Sequence, residues 1–319
     1  LFARPYVAGD KIDDALEVSW TLLQGAGILT SLDLLAEEVR TDARVQANRR
    51  CYLDLIERIA QDPRFPSADR RPTVSVKLSS FTRTPLERGG DGADCRAAME
   101  EIAARARERQ VALTIDMEDH HWTDFTLELA KDLFGRGFDV GTVLQSRLHR
   151  TERDLAGIPP GMRVRMVIGI YLEPPALALT DKRGMKERLL EGALELLEKG
   201  VYVEFATHDE VVLERFLREA TEVRRVRPDQ FEIQMLYGVP RARILSDILA
   251  GRLGASGGLH PKVRLYVPFA TDWDQATAYC RRRLKANPHL MLYVARNLLG
   301  ALRGHRPGLS QYLAENGAA

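Results

Sequence analysis

Eight short runs rich in β-branched and apolar residues recur along this chain, and helical patterns fill the intervals between them. The runs are GILTSLDLL (27–35), TVSVKLS (73–79), VALTIDMED (111–119), VGTVLQS (140–146), RVRMVIGIYL (163–172), VYVEFATHD (201–209), FEIQMLY (231–237) and VRLYVPF (263–269). Segments such as 93–109 and 183–200 carry apolar residues at helical spacing with charges on the other face. That many β/α alternations in about 250 residues predict a (β/α)8 barrel. A doubly wound sheet with an appendage is the alternative, but eight strands exceed its usual five or six. The first ~25 residues and the helical pattern near 289–303 read as decorations of one catalytic domain spanning 1–319.

Charge and cysteine usage narrow the function class. Lysine and arginine number 46 against 45 acidic residues, a net charge of +1, so no global field draws the protein to nucleic acid or an anionic membrane. Cys51, Cys95 and Cys280 are far apart with no Cys-x-x-Cys spacing, which fits neither a disulfide framework nor a zinc site. No apolar run reaches the ~18 residues of a membrane span, and the N-terminus lacks a signal-peptide core. The expectation is a cytoplasmic protein.

Polar residues gather where the strands run out: Lys77, Asp116 with Glu118 and Asp119, Gln145, Arg165 with Tyr171, Thr207 with His208, Gln234 with Tyr237, and Tyr266. In a barrel these ends converge on the face whose loops build the active site. Thr207 and Glu210 in FATHDE have capping-box spacing, which would aim the first amides of the next helix at the barrel mouth, where they can hold a phosphate. Gly169 in VIGIY leaves room for a planar ligand or its phosphates, or marks a bulge. In AYCRRRL, helical spacing puts Tyr279, Arg282 and Arg283 on one face and turns Arg281 away. Two guanidiniums beside an aromatic ring, with Lys77 opposite, form a receptor for a carboxylate that carries an apolar portion.

The ordered series SVKLSS (75–80), DMEDH (116–120), TVLQS (142–146), RMVIGIYLEP (165–174), FATHDE (205–210), FEIQMLYGV (231–239), LYVPF (265–269) and YCRRRL (279–284) resembles the motifs of proline dehydrogenase, monofunctional bacterial type, over residues 7–303. The resemblance implies a distorted (β/α)8 barrel with its last helix over the mouth, binding FAD noncovalently. It implies oxidation of proline to Δ1-pyrroline-5-carboxylate, with electrons passed to a membrane quinone and peripheral membrane contact as a corollary. Lys77, Arg282 and Arg283 would hold the substrate carboxylate, with Leu236, Tyr266 and Tyr279 walling the pocket around the ring, the Tyr266 phenol as a contact rather than a core strut. Asp116 would orient the cluster and Arg165 would stand by the flavin as catalytic groups. Met117, Gln145, Val167, Ile168, Gly169, Ile170, Thr207, His208 and Gln234 would contact FAD, and Glu37 would pair with the first arginine as a gate.

Departures from the family pattern cluster near cofactor and lid. Ile168 and Ile170 stand where the family has lysine and alanine, Ala270-Thr271 where it has Gly-Arg, Ala286 for a glutamate and Ala36 for a glycine. About three extra residues also precede the arginine helix. The same chemistry on another cyclic or secondary amino acid is therefore an alternative. A metal-dependent barrel hydrolase is a second, resting on EDHHW (118–122) and on His208 with Asp209. Against it, adjacent histidines are expected to project apart and no His-Glu-x-x-His pair occurs, so no metal is expected.

Overall fold

The computed structural model describes residues 4–36, 39–239, 242–253 and 258–286, with 242, 278 and 281–286 described without their side chains. Eight parallel strands close into a barrel in sequence order: β1 Leu29–Leu34, β2 Thr73–Val76, β3 Leu113–Ile115, β4 Val140–Gln145, β5 Arg163–Val167, β6 Tyr202–Ala206, β7 Phe231–Leu236 and β8 Lys262–Phe269. The seam joins β1 to β8, from Leu29 beside Arg264 to Leu34 beside Phe269. All eight expected strands are present, the strand ends falling short of several runs because their last residues turn into the rim loops. The helix at 289–303 lies outside the described residues.

Period-two alternation explains why these segments make a barrel. Leu32 and Leu34, Val74 and Val76, Val164 and Met166, Val203 and Phe205, and Ile233 and Met235 all belong to one buried apolar layer. The helices that cover the strands press apolar stripes into that layer: α2 Asp42–Gln61, α3 Ala93–Arg109, α4 Thr123–Gly135, α5 Thr151–Ala156, α6 Lys182–Glu198, α7 Glu210–Arg218 and α8 Ala242–Leu249. The intervening strand positions Ser31, Asp33, Ser75, Thr114, Arg165, Glu204, Glu232, Gln234, Arg264 and Tyr266 are buried as well, yet polar. They face one another across the barrel interior.

Two helices outside the β/α repeat shape the rim. The first, α1 (Ile12–Ala26), packs against β1 and β8. Its Ser19 hydroxyl accepts a hydrogen bond from Thr30 of β1 at 2.8 Å. With that outer slot filled, α9 (Trp273–Ala286) goes elsewhere: Ala276, Tyr279 and Cys280 cluster with Tyr6, Val7, Leu35 and Ala270, residues at and beyond the C-terminal ends of β1 and β8. The N-terminal segment runs along the same rim, with Ala8 N–H donating to Pro268 O at 2.8 Å. It also crosses Gly238, whose φ is +80° and where a Cβ would stand 2.2 Å from the Pro5 carbonyl oxygen. Only glycine allows that approach.

Candidate active site

The upper half of the barrel interior is a closed polar cluster. Lys77 follows β2, and its ammonium donates to Asp33 Oδ1 of β1 at 2.5 Å and to the Tyr266 phenol of β8 at 3.1 Å. The phenol donates to Asp116 Oδ2, just beyond β3, at 2.6 Å. Asp116 Oδ1 accepts from Arg165 of β5 at 2.7 Å, and Arg165 also reaches Ser75 at 3.2 Å and Ser31 at 3.4 Å. Lys77, Asp116, Arg165 and Tyr266 were expected on separate strand ends, and closure of the barrel brings them within hydrogen-bond reach of one another. Arg165 and Tyr266, however, lie inside their strands rather than at the ends.

Beneath them sits a second cluster. Gln234 of β7 accepts from Arg165 Nε at 2.6 Å and donates to Glu204 Oε2 of β6 at 2.8 Å and to Glu232 Oε1 at 2.6 Å. Glu204 pairs with Arg163 at 2.8 Å, and Glu232 with Arg264 at 2.7 Å. The carboxylates Asp33, Asp116, Glu204 and Glu232 thus meet the cations Lys77, Arg163, Arg165 and Arg264, a neutral set among the described residues. Balance of this kind is what makes a charged barrel interior tolerable, because each ion is paired and hydrogen-bonded. Gln234, expected at the cofactor, spends its side-chain amide inside the barrel.

Electrostatics sets the protonation states. Burial pushes the Asp33 carboxyl up to about 6, with Lys77 opposing and Asp116 adding to the rise. Burial, then the Asp116 and Asp33 charges, hold the Tyr266 phenol well above its ordinary value, so it remains a donor. Burial alone would weaken Arg165, but Asp116 and Glu204 outweigh it and raise its pKa.

Sequence reasoning missed Asp33, Glu204, Glu232 and Arg264, whose signal was polar residues alternating with apolar ones inside the strands rather than at their ends. The bridge that the Tyr266 phenol makes between Lys77 and Asp116 was not anticipated either. The ring of Tyr279 is buried, close enough that its charge would be felt by Tyr266. Glu37 and the side chains of Arg282 and Arg283 lie outside the described residues. The helical backbone of α9 spans both arginines, keeping them three and four residues beyond Tyr279.

On the opposite side of the mouth, Met117 is buried, and Gln145 donates to Glu118 O at 2.9 Å. Val167, Ile168, Gly169 and Ile170 form a half-buried stretch beside it. Gly169 has φ +101°, and a Cβ there would meet Gln145 Oε1 at 2.4 Å. Arg147, not anticipated, stands next to this stretch: its backbone N–H donates to Ile168 O at 3.2 Å, and its buried Nε makes no hydrogen bond among the described residues. His208 Nε2 accepts the Leu236 N–H at 3.1 Å, tying β6 to β7.

Two expectations are corrected. The N-cap of α7 is Asp209, not Thr207: its carboxylate accepts the Val212 N–H at 3.2 Å, while the Thr207 hydroxyl accepts the Asp209 N–H at 3.1 Å. A carboxylate that takes a first-turn amide competes directly with a phosphate there. The adjacent histidines do not diverge either. Their ring centroids are 3.8 Å apart, because both sit in the turn before α4 rather than in a strand. Asp119, His120 and His121 bring ligand-type atoms within 4.8 Å of one another. Each Nδ1 meets a carboxylate, Glu173 at 2.6 Å for His120 and Asp119 at 3.2 Å for His121.

The proline dehydrogenase family profile matches residues 19–160. A curated Deinococcus radiodurans protein named proline dehydrogenase is 34% identical over 300 residues, covering 93% of this chain and 90% of the relative. The chain belongs to the proline dehydrogenase family. Proline dehydrogenase 1 of Bacillus subtilis is 29% identical over 304 residues, covering 94% of this chain and 91% of its own. Among solved structures, proline utilization A of Bdellovibrio bacteriovorus, inactivated by N-propargylglycine, superposes with TM-score 0.75 at 20% identity. That match covers 99% of this chain and 35% of the other, so the chain spans about a third of that larger protein. Proline utilization A of Bradyrhizobium japonicum gives TM-score 0.69 at 22% identity, over 88% of this chain and 30% of that one. Both superpositions speak to the barrel fold. Among the described residues no helix is long and apolar enough to cross a membrane.

Proposed function

We propose that this protein is an FAD-dependent proline dehydrogenase, oxidising L-proline to Δ1-pyrroline-5-carboxylate and passing the electron pair to a quinone. The observation that carries this reading is the convergence of Lys77, Asp116, Arg165 and Tyr266 at the mouth of a barrel from this family. Lys77 and the two arginines of α9, Arg282 and Arg283, would bind the carboxylate. Leu236, Tyr266 and Tyr279 would wall the ring, and Glu37 would close the site against Arg282. Clamping the acid group fixes the carbon beside nitrogen, which makes orientation rather than contact the main contribution of these cations.

The opposite side of the mouth suits a dinucleotide. Gly169 offers backbone that a Cβ would obstruct, and Arg147, half-buried and bonded to the Tyr171 carbonyl, keeps a buried Nε unpaired among the described residues. Met117, Gln145, Val167, Ile168, Ile170, Thr207 and His208 would complete the holder, and Gln234 would act through Arg165. When bound, the flavin supplies the hydride acceptor. Arg165, held charged by Asp116 and Glu204, would stabilise negative charge as it develops on that acceptor. The substrate amine must be neutral when hydride leaves the neighbouring carbon, so turnover rises with pH toward the amine pKa. A quinone dissolved in lipid would bring the protein to a membrane surface as a peripheral visitor.

The test is anaerobic addition of L-proline to the FAD-loaded protein, which should bleach the flavin absorption. Bleaching by another secondary amino acid but not by proline would keep the chemistry and replace the substrate, with Ile168 and Ile170 as the places to look. Bleaching by neither would refute the reading.

A further inference from the structure

The adjacent histidines after β3 belong to a motif that neither the carboxylate site nor the cofactor side of the mouth has absorbed. His120 makes it a link between two rim loops. Its backbone N–H donates to Glu173 Oε1 at 2.9 Å, and its Nδ1 meets Glu173 Oε2 at 2.6 Å. A carboxylate can only accept, so Nδ1 carries the proton of that bond. Glu173 thus gives both oxygens to one residue 53 positions away in the chain.

The surroundings set this pair apart from an ordinary surface contact. Between β5 and α6 the chain swings outward, and Leu172, Pro174, Pro175, Ala176 and Leu177 are all exposed. The Glu173 side chain goes the other way and is only 3% exposed. Burying a carboxylate is costly, so the pair adds little net stability, although removing one partner leaves a charge uncompensated. What two bonds to one residue do supply is geometry, because both close in a single arrangement of the loop.

That arrangement matters because the loop begins with the stretch assigned to the flavin. Gln145, at the end of β4, donates to Glu118 O at 2.9 Å and so ties the β4 exit to the β3 exit. The Arg147 N–H donates to Ile168 O at 3.2 Å, and the Arg147 guanidinium holds the Tyr171 carbonyl, so the same exit grips residues 168–170 from both ends. His120 and Glu173 close the circuit from the β5 exit back to the β3 exit. Met117, Gln145 and residues 168–170 therefore lie on three strand exits joined in a ring.

We propose that His120 and Glu173 form a clasp that holds residues 168–170 in the position the flavin requires, which makes His120 a positioning residue for the cofactor. The proposal rests on the flavin site proposed above. Without the clasp the loop can open locally and rehydrate Glu173 while the barrel stays folded. FAD would then bind only the fraction of molecules whose loop is in place, and its apparent affinity would fall by that fraction.

Equilibrium dialysis of the full chain against FAD reads the clasp, and scanning calorimetry of the flavin-free protein reads the fold. His120→Ala should raise the FAD dissociation constant about tenfold to a hundredfold, the range set by a hydrogen bond to a charged group, while Tm changes little. His120→Asn should recover most of the affinity, since its Nδ2 lies as many bonds from the backbone as Nδ1 and donates to the same oxygen. His121→Ala removes a ring whose Nδ1 meets Asp119 instead, and should change the constant by less than about twofold. Unchanged FAD affinity in His120→Ala overturns the proposal, and a fall in Tm alone would show a merely structural pair. An equal loss in His121→Ala, or no recovery in His120→Asn, overturns it as well. Wild-type protein that binds no FAD refutes the flavin site itself, a separate result. If His120→Ala does not fold, Glu173→Gln puts the question to the other partner, keeping the side chain's size while turning one of its two acceptors into a donor. Weaker FAD binding in that variant supports the clasp, and unchanged binding refutes it.

Discussion

Replacing Tyr266 with phenylalanine isolates the strut between Lys77 and Asp116. The phenol donates to Asp116 Oδ2 at 2.6 Å and accepts from Lys77 Nζ at 3.1 Å, with all three groups buried. Hydrogen bonds to charged groups are worth about 1.5–3 kcal/mol each. Asp116 retains Arg165 at 2.7 Å and Lys77 retains Asp33 at 2.5 Å, so neither ion is orphaned and the two losses do not add in full. The expected destabilisation is about 2–4 kcal/mol. Unfolding entropy of about 2.1 cal/mol/K per residue over 319 residues converts this into a Tm lower by about 3–6 °C. Tyr202→Phe is the internal comparison, removing one bond of 3.3 Å to a Glu232 that Arg264 still grips from both sides. Its cost should be about 1 kcal/mol, or 1–2 °C. Scanning calorimetry of both variants at one scan rate makes the measurement. A Tyr266→Phe protein that melts with the wild type, or a Tyr202→Phe protein that falls further, would refute the strut.

Other expectations follow from the corrected or newly placed residues. Asp209→Ala removes the α7 cap and the 2.5 Å pair with Lys186, and should cost about 1 kcal/mol or somewhat more in urea unfolding, while Thr207→Ala should cost less. Burial opposes ionisation of Asp209, but Lys186 and the backbone amides prevail and lower its pKa below 3.8. Its contribution is therefore present at neutral pH and lost on acidification through that lowered value, so the variant and wild-type stabilities should converge in acid. Gly169→Ala puts a side chain at φ +101° against Gln145, a strain of about 1–3 kcal/mol, and should weaken retention of FAD in equilibrium dialysis more than it lowers Tm. Arg282→Met and Arg283→Met should raise KM for proline strongly while FAD stays bound. A greater effect from Arg281→Met would show that the helical phase assigned to α9 is wrong.

The polar interior has a consequence for how these variants are interpreted. Arg165 links the upper cluster to Gln234, and Gln234 links it to Glu204 and Glu232. Substitutions along this chain share partners, so their effects will not add, and double-mutant cycles are needed to divide the energy among them.

The barrel was legible in the chain because alternating strands and amphipathic helices report burial locally, over a handful of residues. The run from Val263 to Phe269 and the helix from Ala93 to Arg109 declare themselves without neighbours. So did Lys77 and Asp116, since a polar residue ending an apolar strand is a local contradiction. Asp33 and Glu204 were not legible in that way. A carboxylate in the middle of a strand means solvent exposure on one register and a buried ion pair on another, and nothing within the strand distinguishes them. The cap of α7 was misplaced because Thr207 and Asp209 both have the chemistry for it, and the choice falls to the backbone path out of β6. Closure of β1 against β8 decided the rest: it brought residues 44 to 189 positions apart onto one ammonium, and only that enclosure turns separate polar strand residues into a largely buried set of paired charges.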